Sequence, residues 1–272
     1  MIEQVISGIV FVFGAVIGSF LNVCIVRLPH EKSVVFPRSH CVHCKKMIAW
    51  YDNVPFLSYL ALGGKCRHCK ARISFRYFFV ELVTALVFLG LYKYYGLTLI
   101  LFPYLVMFSG FIVATFVDFE HRIIPDEISI GGMLAGLIFS LFIPQLHGFM
   151  PTEEAGLWVY AKSFLFSIIG LLVGGGSIYA MGLLGDVLFK KESMGGGDVK
   201  LMAMIGAFLG WKYALLTFFI APFFGAVYGI AEKIRTKDTA IAYGPFLVAG
   251  AVISMFYGPE IIDWILNGYG LY

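Results

Sequence analysis

Eight runs of mostly apolar residues fill this chain, near 5–26, 78–95, 97–117, 127–146, 161–185, 199–211, 213–231 and 240–257. Most are close to the length of about 20 residues that crosses the hydrocarbon core of a bilayer. Of the 272 residues, 60% are hydrophobic and 14% charged, against about 45–50% and 25% in a soluble domain. Inside lipid the backbone must satisfy its own polar groups, so such runs become helices or a closed barrel. The runs are continuous rather than alternating, which selects helices. The pattern predicts an all-α polytopic membrane protein with about eight transmembrane helices, the count being least fixed at the short sixth run and near the C-terminus. The first run opens with Ile2-Glu3-Gln4. It has no basic leader and no clean small-x-small cleavage site, so it reads as a retained helix rather than a signal peptide.

Charge orients these helices. Residues 27–77 hold ten of the twenty Lys and Arg but only two acids, Glu31 and Asp52. An excess of Lys and Arg marks a cytoplasmic loop. Counting helices from that loop puts seventeen basic residues inside and three outside, Lys93, Lys162 and Lys212. The acids at 118–127, 186–198 and 232–238 then fall at the cytoplasmic face. The expected division is a first helix over 1–26, a cytoplasmic domain over 27–77 and a membrane domain over 78–272.

The cytoplasmic stretch contains Cys41-Val-His-Cys44 and Cys66-Arg-His-Cys69, with twenty-one residues between the pairs. Two such knuckles suit a four-thiolate zinc ribbon. Disulfides are disfavoured in the cytosol, and a thioredoxin-like redox pair needs only one CxxC. His43 and His68 are able to replace a thiolate, but four cysteines already suffice. A closed site of this kind is structural, and the metal supplies folding energy to a loop too small for a core of its own. Cys24 lies in an apolar run and reads as packing.

The remaining chemistry lies in acids at helix boundaries. Asp118 ends the third run, Asp126 and Glu127 follow Pro125, and Asp198 follows Gly195-Gly196-Gly197 and precedes Lys200. Each acid is also a common helix cap. Ionisable groups at membrane depth are costly and tend to be functional. Two carboxylates in one low-dielectric site share a proton and activate water as base and acid. The three glycines permit a close approach of substrate backbone. Gly174–Gly176, by contrast, reads as helix packing. No GxSxG, HExxH or GxxxxGK[ST] motif offers a rival mechanism.

Taken together, GSFLNVCIVRLP (18–29), the cysteine-bearing stretch 37–81, DFEHRIIPD (118–126) and GGGDVK (195–200) resemble the bacterial type IV prepilin peptidases, also called leader peptidase/N-methyltransferases. These are GxGD-type membrane aspartyl proteases. The resemblance implies a bifunctional enzyme of the inner membrane. It would cleave the short basic leader of prepilins and pseudopilins after a glycine. It would then methylate the new amino terminus with S-adenosyl-L-methionine. It places the catalytic aspartates at Asp118 and Asp198, with Asp126 as the rival for the first. Gly195, Gly196, Gly197 and Lys200 would form the active-site loop. The methyl-donor site would draw on Asn22, Arg27, Asp52, Asn53, Gly64, Arg76 and Glu81. The basic loop suits an acidic residue near the start of the mature pilin, or anionic membrane lipid; no nucleic-acid partner is expected. The outer loop 147–160 is longer than the family's usual one, and Trp158 and Tyr160 suggest a short interfacial helix there.

Three other readings compete. A peptidase without methylation would not need the cysteine loop. A transporter with a zinc-ribbon regulatory loop would carry its acids near the bilayer midplane. A scaffold for pilus assembly would tolerate Asp198→Asn.

Overall fold

Long apolar runs punctuated by Gly, Pro and charge give a helical chain. The computed structural model describes residues 1–151, 156–190, 194–236 and 242–268. Among them no strand occurs, and the only strand-like pairings are two isolated bridges, His40 with Met47 and Lys65 with Arg72. The α-helices are α1 Ile2–Arg27, α2 Leu57–Ala61, α3 Phe75–Tyr95, α4 Leu101–His121, α5 Asp126–Phe142, α6 Trp158–Phe189, α7 Gly196–Thr236 and α8 Gly244–Asn267. All but α2 and α5 are long and apolar enough to cross a membrane.

Six spans are fewer than the expected eight, and two features bear on the difference. Helix α5, with 17 residues, is about 26 Å long at 1.5 Å per residue, close to the hydrocarbon thickness. Helix α7 is broken at Gly210, whose φ of 78° and ψ of 170° are not helical. Its short first half corresponds to the sixth apolar run. The ring of His147, on the 3-10 turn Pro144–His147, packs where Gly210 lacks a side chain.

Boundaries differ from the sequence reading at two places. Helix α6 begins at Trp158, so Trp158 and Tyr160 form its first turn rather than a separate interfacial helix. The loop residues 152–155 lie outside the described residues, as do Lys191, Ser193, Lys237 and residues 240–241 of the last run. Helix α8 opens only at Gly244, because Pro245 lacks an N–H and belongs in a first turn.

The helices form two units, residues 1–113 and 114–272. In the first, α1 lies against α3 through Gly14 and Gly18. A Cβ would stand 2.8 Å from the Ala85 Cα at Gly14 and 2.7 Å from the Glu81 Cα at Gly18. This is the small-xxx-small contact that lets membrane helices approach closely. In the second unit, α6 and α7 meet at Gly170 and Gly206, where a Cβ on either would collide with the other's carbonyl. Of Gly174–Gly176, the first two face Met202 and Ala203 of α7, and Gly176 faces open space. Residues 201–210 are buried without a break. The first half of α7 is thus the centre of this unit, and it carries Asp198 on its first turn.

Candidate active site and metal centre

The two cysteine knuckles are built alike. In the first, Cys41 N–H donates to Lys46 O, and Lys45 N–H donates to Cys41 O. In the second, Cys66 N–H donates to Ala71 O, and Lys70 N–H donates to Cys66 O. Lys45 and Lys70, each directly after the knuckle, take left-handed φ values of 58° and 59°. The four Sγ atoms lie within 4.8 Å of one another, and Cys41 and Cys69 are 3.8 Å apart. A tetrahedron with metal–sulfur bonds of about 2.3 Å has edges of about 3.8 Å, so the thiols fit such an ion. His43 and His68 are not part of this cluster. The Cys44 peptide N–H, with that of His43, holds the Cys41 thiol down to about 6, while burial and the neighbouring thiols push Cys69 up to about 11.

Asp52, between the knuckles, receives Nε of Arg67 at 2.8 Å and Nη2 at 2.6 Å. That fork ties the linker to the second knuckle and holds the Asp52 carboxyl below its ordinary range. Arg27, at the end of α1, donates to Ser33 O and Pro37 O and so anchors the start of the loop.

Between the loop and the adjoining ends of α1 and α3 lies a cavity of about 500 Å³, within the range of about 300–1,000 Å³ usual for small-molecule sites. Asn22, Arg27, Asp52, Asn53, Arg76 and Glu81 all line it. Gly64 does not. It sits behind Tyr59 at φ 65°, where a Cβ would come within 3.0 Å of the Tyr59 ring, and Tyr59 lines the cavity instead. Phe56 and Phe78 complete an aromatic wall with Tyr59. Spacing along the chain gave no sign of Tyr59 or the two phenylalanines. The only hint is the density of aromatic residues around 56–59 and 75–79.

The aspartates form the second site. Asp118 is buried, at 5% exposure, three residues before the end of α4. Its Oδ2 accepts the Gly244 N–H at 2.8 Å, so it lies at the N-terminus of α8, where backbone dipoles favour negative charge. The Gly195 N–H points at the Asp198 carboxylate, and Asp118 and Asp198 interact electrostatically. Ile124, in the turn after α4, packs on both sides of the site. A Cβ on Gly197 would stand 3.2 Å from it, and one on Gly244 3.1 Å. Asp126 is exposed and bound by Lys200, whose Nζ lies 2.6 and 2.9 Å from its carboxylate oxygens. The structure therefore brings together Asp118, Gly195, Gly197 and Asp198, and sets Asp126 and Lys200 aside as an ion pair. Sequence reasoning missed Tyr243 and Gly244. Tyr243 interacts electrostatically with Asp198, and the one available signal was the Gly-Pro opening of the last helix.

Fold and site define a multi-pass membrane protein with two carboxylates at helix ends and a four-thiol loop. Residues 12–95 match the bacterial peptidase A24 N-terminal domain, and residues 105–230 match the type IV leader peptidase family. The prepilin leader peptidase/N-methyltransferase of Bacillus subtilis (strain 168) is 34% identical over 267 residues, 96% of this chain and 98% of that protein. That of Legionella pneumophila is 32% identical over 288 residues, 95% and 94% of the two chains. That of Myxococcus xanthus (strain DK1622) is 38% identical over 226 residues, 83% of this chain and 63% of the relative's length. No solved structure matches. The chain belongs to the prepilin leader peptidase/N-methyltransferase family.

Proposed function

We propose that this protein cleaves the basic leader from prepilins and pseudopilins at the cytoplasmic face of the inner membrane, and then methylates the new amino terminus. The observation that supports the peptidase most directly is the meeting of Asp118 and Asp198 from two helices, with Gly244 N–H on one carboxylate and Gly195 N–H at the other. One carboxylate takes a proton from water as its oxygen attacks the scissile carbonyl carbon. The other, protonated, donates to the carbonyl oxygen. Collapse of the tetrahedral intermediate breaks the C–N bond, and the departing nitrogen takes the proton held by the first carboxylate. Gly197 lets the start of α7 pack directly on Ile124 beside that reaction, and Gly196 leaves open space next to it.

The cavity under the cysteine loop supports the transferase. S-adenosylmethionine supplies an electrophilic methyl group when bound. Asn22, Glu81 and Asn53 offer polar contacts for it, and Phe56, Tyr59 and Phe78 offer aromatic faces. A zinc ion on Cys41, Cys44, Cys66 and Cys69 would fix the loop over the cavity, and the excess of Lys and Arg in residues 27–77 supports its cytoplasmic placement.

The test uses the purified protein in liposomes with a synthetic prepilin segment and S-adenosylmethionine, read by mass spectrometry. Wild type removes the leader and adds one methyl group, about 14 Da. Asp118→Asn and Asp198→Asn each lower cleavage by about 10²–10⁴-fold, the usual contribution of a positioned acid or base. Normal cleavage by either variant would refute the two-aspartate mechanism.

A further inference from the structure

One of the groups lining the cavity is a buried carboxylate with only neutral partners. Glu81, on α3, is 9% exposed. Its Oε2 accepts the Phe56 N–H at 3.0 Å, and the Ser19 hydroxyl bonds the same carboxylate. Close by on α1, Asn22 is 2% exposed. Its Nδ2 donates to Gly18 O and Tyr77 O, but its Oδ1 is buried without a hydrogen-bond partner. Both side chains line the cavity with Val23, Phe56 and Phe78.

Three of the cavity's arginines are engaged elsewhere: Arg27 by two carbonyls, Arg67 by Asp52, and Arg76 over the Tyr77 ring. The cavity's other acid, Asp52, is the one bound by Arg67. A buried carboxylate and a buried orphan acceptor each cost free energy until a donor meets them. The backbone adds to this. Phe56 takes φ 61° and ψ −54°, a conformation closed to bulky residues unless the surroundings impose it. That conformation aims its N–H at Glu81.

Arg72 and Lys46 also line the cavity, but among the described residues no cationic donor meets Glu81 or Asn22 Oδ1. An anion and an acceptor so placed, beside Val23, Phe56 and Phe78, call for an ammonium attached to an apolar body. We infer that Glu81, with Asn22 Oδ1 beside it, is the receptor for an α-ammonium group in this cavity. The inference rests on the transferase reading. The chemistry has two sources, the unblocked amino terminus of the cleaved chain and the amino-acid end of the methyl donor. In the first case Glu81 also takes one proton from the ammonium nitrogen. The carboxylate becomes a carboxylic acid, the ammonium becomes an amine with a free electron pair, and the net charge of the two groups stays at zero.

The experiment measures binding, using full-length protein in nanodiscs. The probes are a peptide beginning with unblocked Phe and continuing with apolar residues, the same peptide N-acetylated, and S-adenosylhomocysteine. Wild type binds the free-amine peptide at least tenfold tighter than the acetylated one. Glu81→Gln reduces that preference below twofold and leaves S-adenosylhomocysteine binding unchanged, and Glu81→Asp retains part of the preference. If Glu81→Gln instead weakens S-adenosylhomocysteine tenfold and keeps the peptide preference, the ammonium is that of the donor, and the receptor role holds. Unchanged affinities for both probes, in a Gln variant that melts like wild type, overturn the inference and leave the transferase standing. A wild type that prefers neither free amine nor S-adenosylhomocysteine overturns it without any variant. A wild type that binds neither and transfers no methyl overturns both readings.

Discussion

The cysteine-loop cavity and the aspartate site are held by different physics. The loop of residues 28–74 has little regular structure beyond α2 and two short 3-10 turns. Its shape comes from two matched knuckles, the Asp52–Arg67 fork and the anchoring of Arg27. The aspartate site uses helix packing alone. Asp198 rides on the first turn of α7, directly before the buried stretch 201–210, and Asp118 is fixed by the start of α8. On the proposed reading the first site depends on a metal ion held by its four thiols, and the second on the closeness of helix backbones. Each should fail without the other.

The largest expected separation comes from the cysteines. Cys66→Ser, or prolonged chelation, removes one thiolate or the ion from a loop that has no core of its own. Methyl transfer to an already cleaved peptide falls by about 100-fold or more, and limited proteolysis cuts within 28–74. Leader cleavage stays within about threefold, because Asp118 and Asp198 are positioned by α4, α7 and the start of α8 rather than by the thiols. Equal loss of both activities would erase the distinction between the sites. A helix-packing change should do the reverse. Gly206→Ala forces α6 and α7 apart at Gly170. It should destabilise the second unit by about 1–3 kcal/mol, the usual cost of overpacking, seen as a lower unfolding midpoint with the protease resistance of residues 28–74 unchanged. The smallest effect belongs to the Asp126–Lys200 pair, which is half exposed, with side chains 57% and 40% accessible. Such a pair contributes about 0.2–1 kcal/mol, so Lys200→Ala lowers cleavage by no more than about fivefold. The exchanged pair Asp126→Lys with Lys200→Asp recovers most of it. A far greater loss, unrecovered by the exchange, would move Lys200 into the chemistry itself.

Much of this was legible in the sequence, and for identifiable reasons. The bilayer imposes a length on each helix, so the apolar runs announced α1, α3, α4 and both halves of α7. Metal geometry imposes a spacing, so the cysteines announced their own cluster. Other features depend on contacts that spacing does not encode. Asn22 and Glu81 stand 59 positions apart, yet they share one cavity wall because Gly14 and Gly18 let α1 and α3 touch. Gly64 looked like a ligand contact, and its positive φ shows a turn that seats Tyr59. Gly244 belongs to a run that reads as plain membrane helix, and its N–H is the partner of Asp118. A backbone donor leaves no trace in residue type.

The most direct test of the account runs both reactions on the same preparations. Wild type, Asp198→Asn and Cys66→Ser are each given two substrates: an intact prepilin segment, and the same segment synthesised without its leader. Products are read by mass spectrometry with S-adenosylmethionine present. The account predicts that Asp198→Asn leaves the intact segment uncut while methylating the pre-cleaved one at the wild-type rate, and that Cys66→Ser cuts the first and does not methylate the second. Loss of methylation on the pre-cleaved segment by Asp198→Asn, or normal cutting of the intact one, would contradict it.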